Sequence, residues 1–169
     1  MHVRKATTSD AAWIVDLSRR VQDALTASGS LQQIGPLPGE VVMRVIQNGD
    51  AYILKDTRRR LGSVLVEPIA RFSTSPAKEW GFDRLPQPIW YLHALMLEPE
   101  EQGKGYGLPF LEGIKQQVVT TQGTIVLDCW AGNDKLRDFY RRAGFSFHGT
   151  FREKDYDVAV FLYPSPSHM

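Results

Sequence analysis

Two hydrophobic periods alternate along this chain. Apolar residues spaced three and four apart mark helices, and short apolar runs bounded by glycine, proline or asparagine mark strands. His2 to Ala6 reads as a short first strand. Thr8 or Ser9 can cap a helix whose apolar stripe is Ala11, Ile14, Val15, Leu17, Val21 and Leu25. Ser28 to Gly39 reads as a loop, and Val41 to Ile46 as a second helix ended by Asn48-Gly49. Ala51 to Lys55 and Leu61 to Glu67 are strands joined by a turn carrying Arg58-Arg59-Arg60. Pro68 to Pro88 breaks the pattern and is longer than an ordinary connection. A strand from Trp90 to Leu97 follows, then a glycine-rich loop and a helix with Leu108, Phe110, Leu111, Ile114 and Val118 inward. Thr124 to Trp130 is a strand and Asp134 to Arg142 a helix; Phe145 to Arg152 and Val158 to Tyr163 close the chain as a hairpin-like pair. Such alternation predicts an α/β fold with a mixed sheet and helices on both faces. Residues 1–163 read as one domain and 164–169 as a frayed tail.

Composition narrows the class. A chain of 169 residues with 43% apolar and 23% charged side chains is long enough for a sizeable core. Twenty basic against 19 acidic side chains leave a net charge of +1, so bulk electrostatics predict neither a nucleic-acid nor a membrane partner. The Arg58–Arg60 run lies between two strands and reads as a solvated turn. Cys129 is the single cysteine, which excludes an intrachain disulfide and suits a reducing cytoplasm; inside an apolar strand it reads as a buried thiol. There is no apolar leader and no 18-residue apolar run.

The chemistry concentrates in Gln102-Gly103-Lys104-Gly105-Tyr106-Gly107, between a strand and a helix. Glycines let backbone approach an anion, and N–H groups at the helix start point at it with the helix dipole behind them. Pro109 suits a first helical turn. The spacing is neither G-x-x-x-x-G-K-[ST] nor G-x-G-x-x-G, which disfavours a nucleoside triphosphate site. The second block is Asn133, then Tyr140 seven residues on, running into Arg141-Arg142-Ala143-Gly144-Phe145.

Together these blocks resemble the GCN5-related N-acetyltransferases (GNAT), from about Trp90 to Phe145 and more loosely through the N-terminal third. Gln102-x-x-Gly105-x-Gly107 resembles the family's pyrophosphate loop, and Leu97-Glu98-Pro99 before it also fits. The resemblance implies the GNAT fold, in which two central parallel strands splay apart around the cofactor. It implies an acetyl-CoA-dependent N-acetyltransferase, with no metal, acting on the amine of a small molecule by direct attack on the thioester. A peptide or protein amine, or acyl-CoA binding without catalysis, are the alternatives. A homodimer is left open.

Carried over residue by residue, the resemblance makes the backbone of Gly103 to Leu108 the phosphate cradle. Gln102 occupies a position where the family has arginine or glutamine, and Lys104 adds charge or is solvated. Leu95, Met96 and Leu97 would offer backbone to the pantetheine arm. Tyr140 matches the tyrosine that protonates the departing thiolate, and Asn133, on the same helical face, contacts cofactor or caps the helix. His93 is the candidate base because imidazole titrates near neutrality; Tyr91-Leu92-His93-Ala94-Leu95 is similar to the H-L-H-A-L strand of the serotonin N-acetyltransferases, with Tyr91 in place of the first histidine. Core packing is the other reading of His93, and Glu98 is an alternative base. The acceptor side would use the first helix pair and the loops Ser28–Gly39 and Pro68–Pro88, where Trp80, Phe82, Trp90 and Tyr91 form either an aromatic wall or a plug over the core.

Overall fold

The computed structural model describes residues 1–72, 79–118, 123–153 and 155–164. Seven strands are hydrogen-bonded in the order β1-β2-β3-β4-β5-β7-β6. They are β1 (His2–Lys5), β2 (Ala51–Lys55), β3 (Arg60–Pro68), β4 (Ile89–Leu97), β5 (Thr124–Trp130), β6 (Ser146–Glu153) and β7 (Tyr156–Tyr163). The helices are α1 (Ala11–Ala27), α2 (Gly39–Gln47), α3 (Gly107–Val118) and α4 (Asp134–Arg142). β1 with β2, β2 with β3, β5 with β7 and β6 with β7 are antiparallel, while β4 with β5 is parallel, so the sheet is mixed. The chain divides into two compact units, Met1–Val66 with His93–Val118, and Glu67–Leu92 with Val119–Met169; β4 contributes to both.

In the first unit the pleat sorts residues between two helical layers. Ala51, Ile53 and Leu65 join Ile14, Leu17 and Val21 of α1 and Val42, Val45 and Ile46 of α2 in one apolar cluster. Val3, Leu54 and Gly62 have the opposite parity in the ladder register. Gly62 lies there because a Cβ would sit 2.5 Å from the Met96 carbonyl oxygen and 3.2 Å from Phe110 of α3. Phe110, Leu111 and Ile114 are fully buried, each contributing about 1.5–3 kcal/mol.

α1 begins differently from the expectation that Thr8 or Ser9 caps it. Thr7 opens a short 3-10 turn, and its N–H donates to Asp10 Oδ2 at 2.8 Å. Asp10 wins because Arg4, six residues before it, reaches its carboxylate with two bonds at 2.7 and 3.0 Å. The loop after α1 is fastened by buried polar residues of that helix. Ser18 Oγ accepts from Leu37 N at 2.9 Å, and Gln22 Oε1 accepts from Ile34 N at 2.7 Å and Gly35 N at 3.0 Å.

The second unit follows the same alternation. Val158, Val160 and Leu162 of β7 face a cluster with Val126, Ile89, Ile69, Trp80 and Phe82. Phe161, of the other parity, meets Tyr140 of α4 at 5.8 Å between ring centroids. Part of the expected Pro68–Pro88 insert, residues 73–78, lies outside the described residues, as does most of the expected tail.

Candidate functional site

The glycine loop belongs to the first unit. Gly103 and Gly105 have φ of 79° and 85°, the left-handed region that glycine enters without a Cβ penalty. A Cβ at either would meet nothing within 4 Å, so the loop is open on its outer side. Phe110 N closes the first turn of α3 onto Tyr106 O at 3.1 Å. Pro109 has no N–H, which leaves Gly107 and Leu108 as the donors without an intrahelical acceptor. Gln102 is exposed, and its N–H bonds Pro99 O at 3.4 Å. Lys104 Nζ is 3.2 Å from Glu101, a pairing that neither sequence reading of Lys104 included.

The last part of β4 also lies in this unit. His93, Leu95 and Leu97 are half-buried, and Met96 is buried in the cluster under α1 and α2. Ala94, between His93 and Leu95, has φ of 53°, a left-handed conformation inside a strand. Such a residue re-aims its neighbours and is held by the surrounding structure at a cost of about 1–3 kcal/mol. Glu98, the alternative base, is held by Arg20 at 2.5 and 3.1 Å.

The second unit holds the other group of expected residues. Tyr140 is buried, in ring contact with Phe139, Phe145 and Phe161. Burial pushes its phenol above the usual range, and Cys129 and Asp128 add to this. Asn133 is the N-cap of α4, its Oδ1 accepting from Leu136 N at 3.0 Å; that leaves its amide N–H groups to offer elsewhere. Tyr91 OH donates to the Asp128 carboxylate at 3.2 and 3.3 Å, and burial, then the Asp128 charge, hold that phenol well above its ordinary value. Trp80 and Phe82 are buried in this unit's core, edge to face at 5.8 Å, with Trp80 stacked on Phe151 at 5.2 Å. Trp90 is half-buried. The β4–β5 ladder pairs Ile89 with Thr124, Trp90 with Ile125 and Tyr91 with Val126, and ends there.

One cleft of about 550 Å³ opens in the first unit. It is lined by Ala12, Val15, Asp16 and Arg19 of α1, by Pro36 of the loop and by Met43 of α2. The pinned Ser28–Gly39 loop thus forms part of its wall. No helix among the described residues is long and apolar enough to cross a membrane. Among them no group of three or more His, Cys, Asp or Glu is placed to hold a metal ion.

The open left-handed loop and the two N–H groups at the start of α3 fit a diphosphate: small residues line the approach and donors end it. Asp128 and Glu101 were not singled out in the sequence, and Arg59 was read there only as part of a solvated turn. Asp128 had a signal, a lone charge inside the apolar run Thr124–Trp130. Glu101 and Arg59 had none, since their contact spans 42 residues.

Comparison with known proteins gives the family and the fold. The model of the acetyltransferase (GNAT) family matches residues 44–145. A protein of Bacillus subtilis described as the uncharacterized N-acetyltransferase YesJ is 31% identical over 148 residues, covering 85% of this chain and 81% of its own. A GNAT-family acetyltransferase from Listeria monocytogenes superposes with a TM-score of 0.73 at 20% identity, covering 95% of this chain and 92% of its own. The putative acetyltransferase yncA from Salmonella typhimurium, solved with its cofactor acetyl-CoA, superposes with a TM-score of 0.68 at 14% identity, covering 96% and 92%.

Proposed function

The chain belongs to the acetyltransferase (GNAT) family, and from that premise we propose that it acetylates the primary amine of a small molecule. It is an N-acetyltransferase, and acetyl-CoA is its acyl donor. The observation that carries the reading is the Gly103–Leu108 loop, left-handed at two glycines and ending on free helix N–H groups. Gln102, Gly103, Lys104, Gly105, Tyr106, Gly107 and Leu108 would hold the diphosphate. The short β4–β5 ladder supports a backbone role for Leu95, Met96 and Leu97 beside the pantetheine arm. Asn133 would add an amide N–H to the cofactor.

Acetyl-CoA supplies an activated acyl group, as a thioester. Tyr140 is assigned as the acid: its buried phenol keeps its proton at neutral pH and can give it to the leaving sulfur. His93 is assigned as the base that takes a proton from the acceptor ammonium. The amine nitrogen then forms the new C–N bond as the C–S bond breaks; the further proton it sheds in becoming an amide restores the Tyr140 phenol, and the proton held by His93 passes to solvent. The acceptor's remainder is assigned to the cleft beside α1 and α2, whose volume suits a small ligand. Trp90 and Tyr91 are not among the residues lining it, and Trp80 and Phe82 are buried in the packing of the second unit. The buried lone cysteine supports a reducing cytoplasmic setting.

Calorimetric titration tests the cradle. Acetyl-CoA and CoA should bind in the micromolar range and ATP should not; absence of CoA binding would overturn the assignment.

A further inference from the structure

Glu101 directly precedes the glycine loop and is 2% exposed. A buried carboxylate there would repel any phosphate brought to the cradle. Two cations offset it. Arg59 Nη1 donates to Oε1 at 2.5 Å, and Lys104 Nζ lies 3.2 Å from Oε2. Arg59 comes from the β2–β3 turn, which is itself fixed. The N–H groups of Arg58 and Arg59 donate to Asp56 Oδ1 at 2.8 and 2.7 Å, and Asp56 Oδ2 is 3.6 Å from Arg59 Nε. Both cations keep about half of their side-chain surface exposed, 51% for Arg59 and 55% for Lys104. Asp56 and Glu101 balance Arg59 and Lys104 in charge, so what the rim offers a phosphate is the exposed, unspent donors of the two cations. The guanidinium fork has donors to spare beyond the one spent on Glu101.

We propose that Arg59, positioned by Glu101, is a further cofactor-binding residue whose guanidinium takes a phosphate oxygen of CoA. The inference rests on the glycine loop being the acetyl-CoA cradle. It converts the Arg58–Arg60 turn, otherwise a solvated hairpin tip, into one wall of that cradle. Two groups of the same chemistry could supply the oxygen, the diphosphate and the ribose 3′-phosphate.

The test is calorimetry of the wild type, Arg59→Ala, Arg59→Lys and Glu101→Gln with acetyl-CoA and with its dephospho form, at low and high salt. Arg59→Ala should weaken acetyl-CoA about tenfold at low salt, as expected for one charge-assisted phosphate contact. The loss should shrink at high salt, because the contact is exposed to screening, and Arg59→Lys should recover part of it. Glu101→Gln removes both a repulsion and the anchor of Arg59, so in a Glu101→Gln background the loss caused by Arg59→Ala should be smaller than in the wild type. A loss absent with the dephospho form assigns the 3′-phosphate; a loss present with both forms assigns the diphosphate. Equal affinity of wild type and Arg59→Ala, or a loss unchanged by salt, would overturn the proposal. Should Glu101→Gln not fold, the two Arg59 variants, in an exposed turn, carry the test alone. Failure of the wild type to bind acetyl-CoA would remove the cradle and this inference together; normal wild-type binding with an indifferent Arg59 would remove the inference only.

Discussion

At Cys129 burial, followed by the Asp128 charge, pushes the thiol up to about 12, so it remains S–H at neutral pH. A disulfide-exchange reagent should find no reactive thiol in the native protein and one after denaturation; rapid native reaction would show an accessible cysteine. Tyr140→Phe keeps the ring packing against Phe161 and removes only the hydroxyl. It should lower kcat by about 10²-fold or more with the acetyl-CoA Kd unchanged. An unchanged kcat would remove Tyr140 from the acid role. Asp10 is held down to about 2, first by its bonds to Arg4 and then by the Thr7 N–H and the Arg60 charge, against burial that acts in the opposite direction. A depressed carboxylate stabilises the fold above its unfolded value near 3.8 and loses that contribution as pH falls toward 2. Stability should therefore drop between about pH 4 and 2 by ~2 kcal/mol through this group. Asp10→Asn should flatten that part of the curve in chemical denaturation, and an unaltered slope would count against the Arg4–Asp10 pair. The inert thiol was legible because an apolar run surrounds it. Glu101 was not, because Arg59, 42 residues away in sequence, is brought to it by folding; Asp10 has the nearby Arg4 and, only in the fold, Arg60 at 3.1 Å.

Among the elements, the glycine loop carries the plainest expectation. Gly105→Val puts a β-branched side chain at φ of 85° and fills the open side of the loop. The affinity for acetyl-CoA should fall at least about tenfold, ~1.4 kcal/mol, while far-ultraviolet circular dichroism stays native; normal affinity would show that the loop is only a turn. The loop and its helix were legible because glycine spacing and apolar periodicity are local signals. So were β5 and α4, whose bounds match the expectation. The start of α1 was displaced, since Arg4 pairs with Asp10 rather than leaving the cap to Thr8 or Ser9. The left-handed Ala94 was not legible at all: alanine carries no mark of that conformation, and what holds it there is tertiary. It matters for function because it falls between the proposed base His93 and the backbone assigned to the pantetheine arm.

For the whole molecule, alternation of strands and helices was enough to expect a mixed sheet, and two motifs in order were enough to expect the GNAT family. The insertion of β7 between β5 and β6 was not readable, because that order depends on non-local pairing. The cleft proposed for the acceptor was equally hidden: part of its wall is a loop that Ser18 and Gln22 tie to α1 across 12 to 19 residues. The central claim, acetyl transfer to a small primary amine, is tested most directly by thiol release from acetyl-CoA across a panel of small primary amines, with lysine-containing and free-N-terminal peptides beside them. The account predicts thiol release matched by N-acetylated product for at least one small amine, reduced in Tyr140→Phe. Release with peptides alone, or with none of the acceptors, would contradict it.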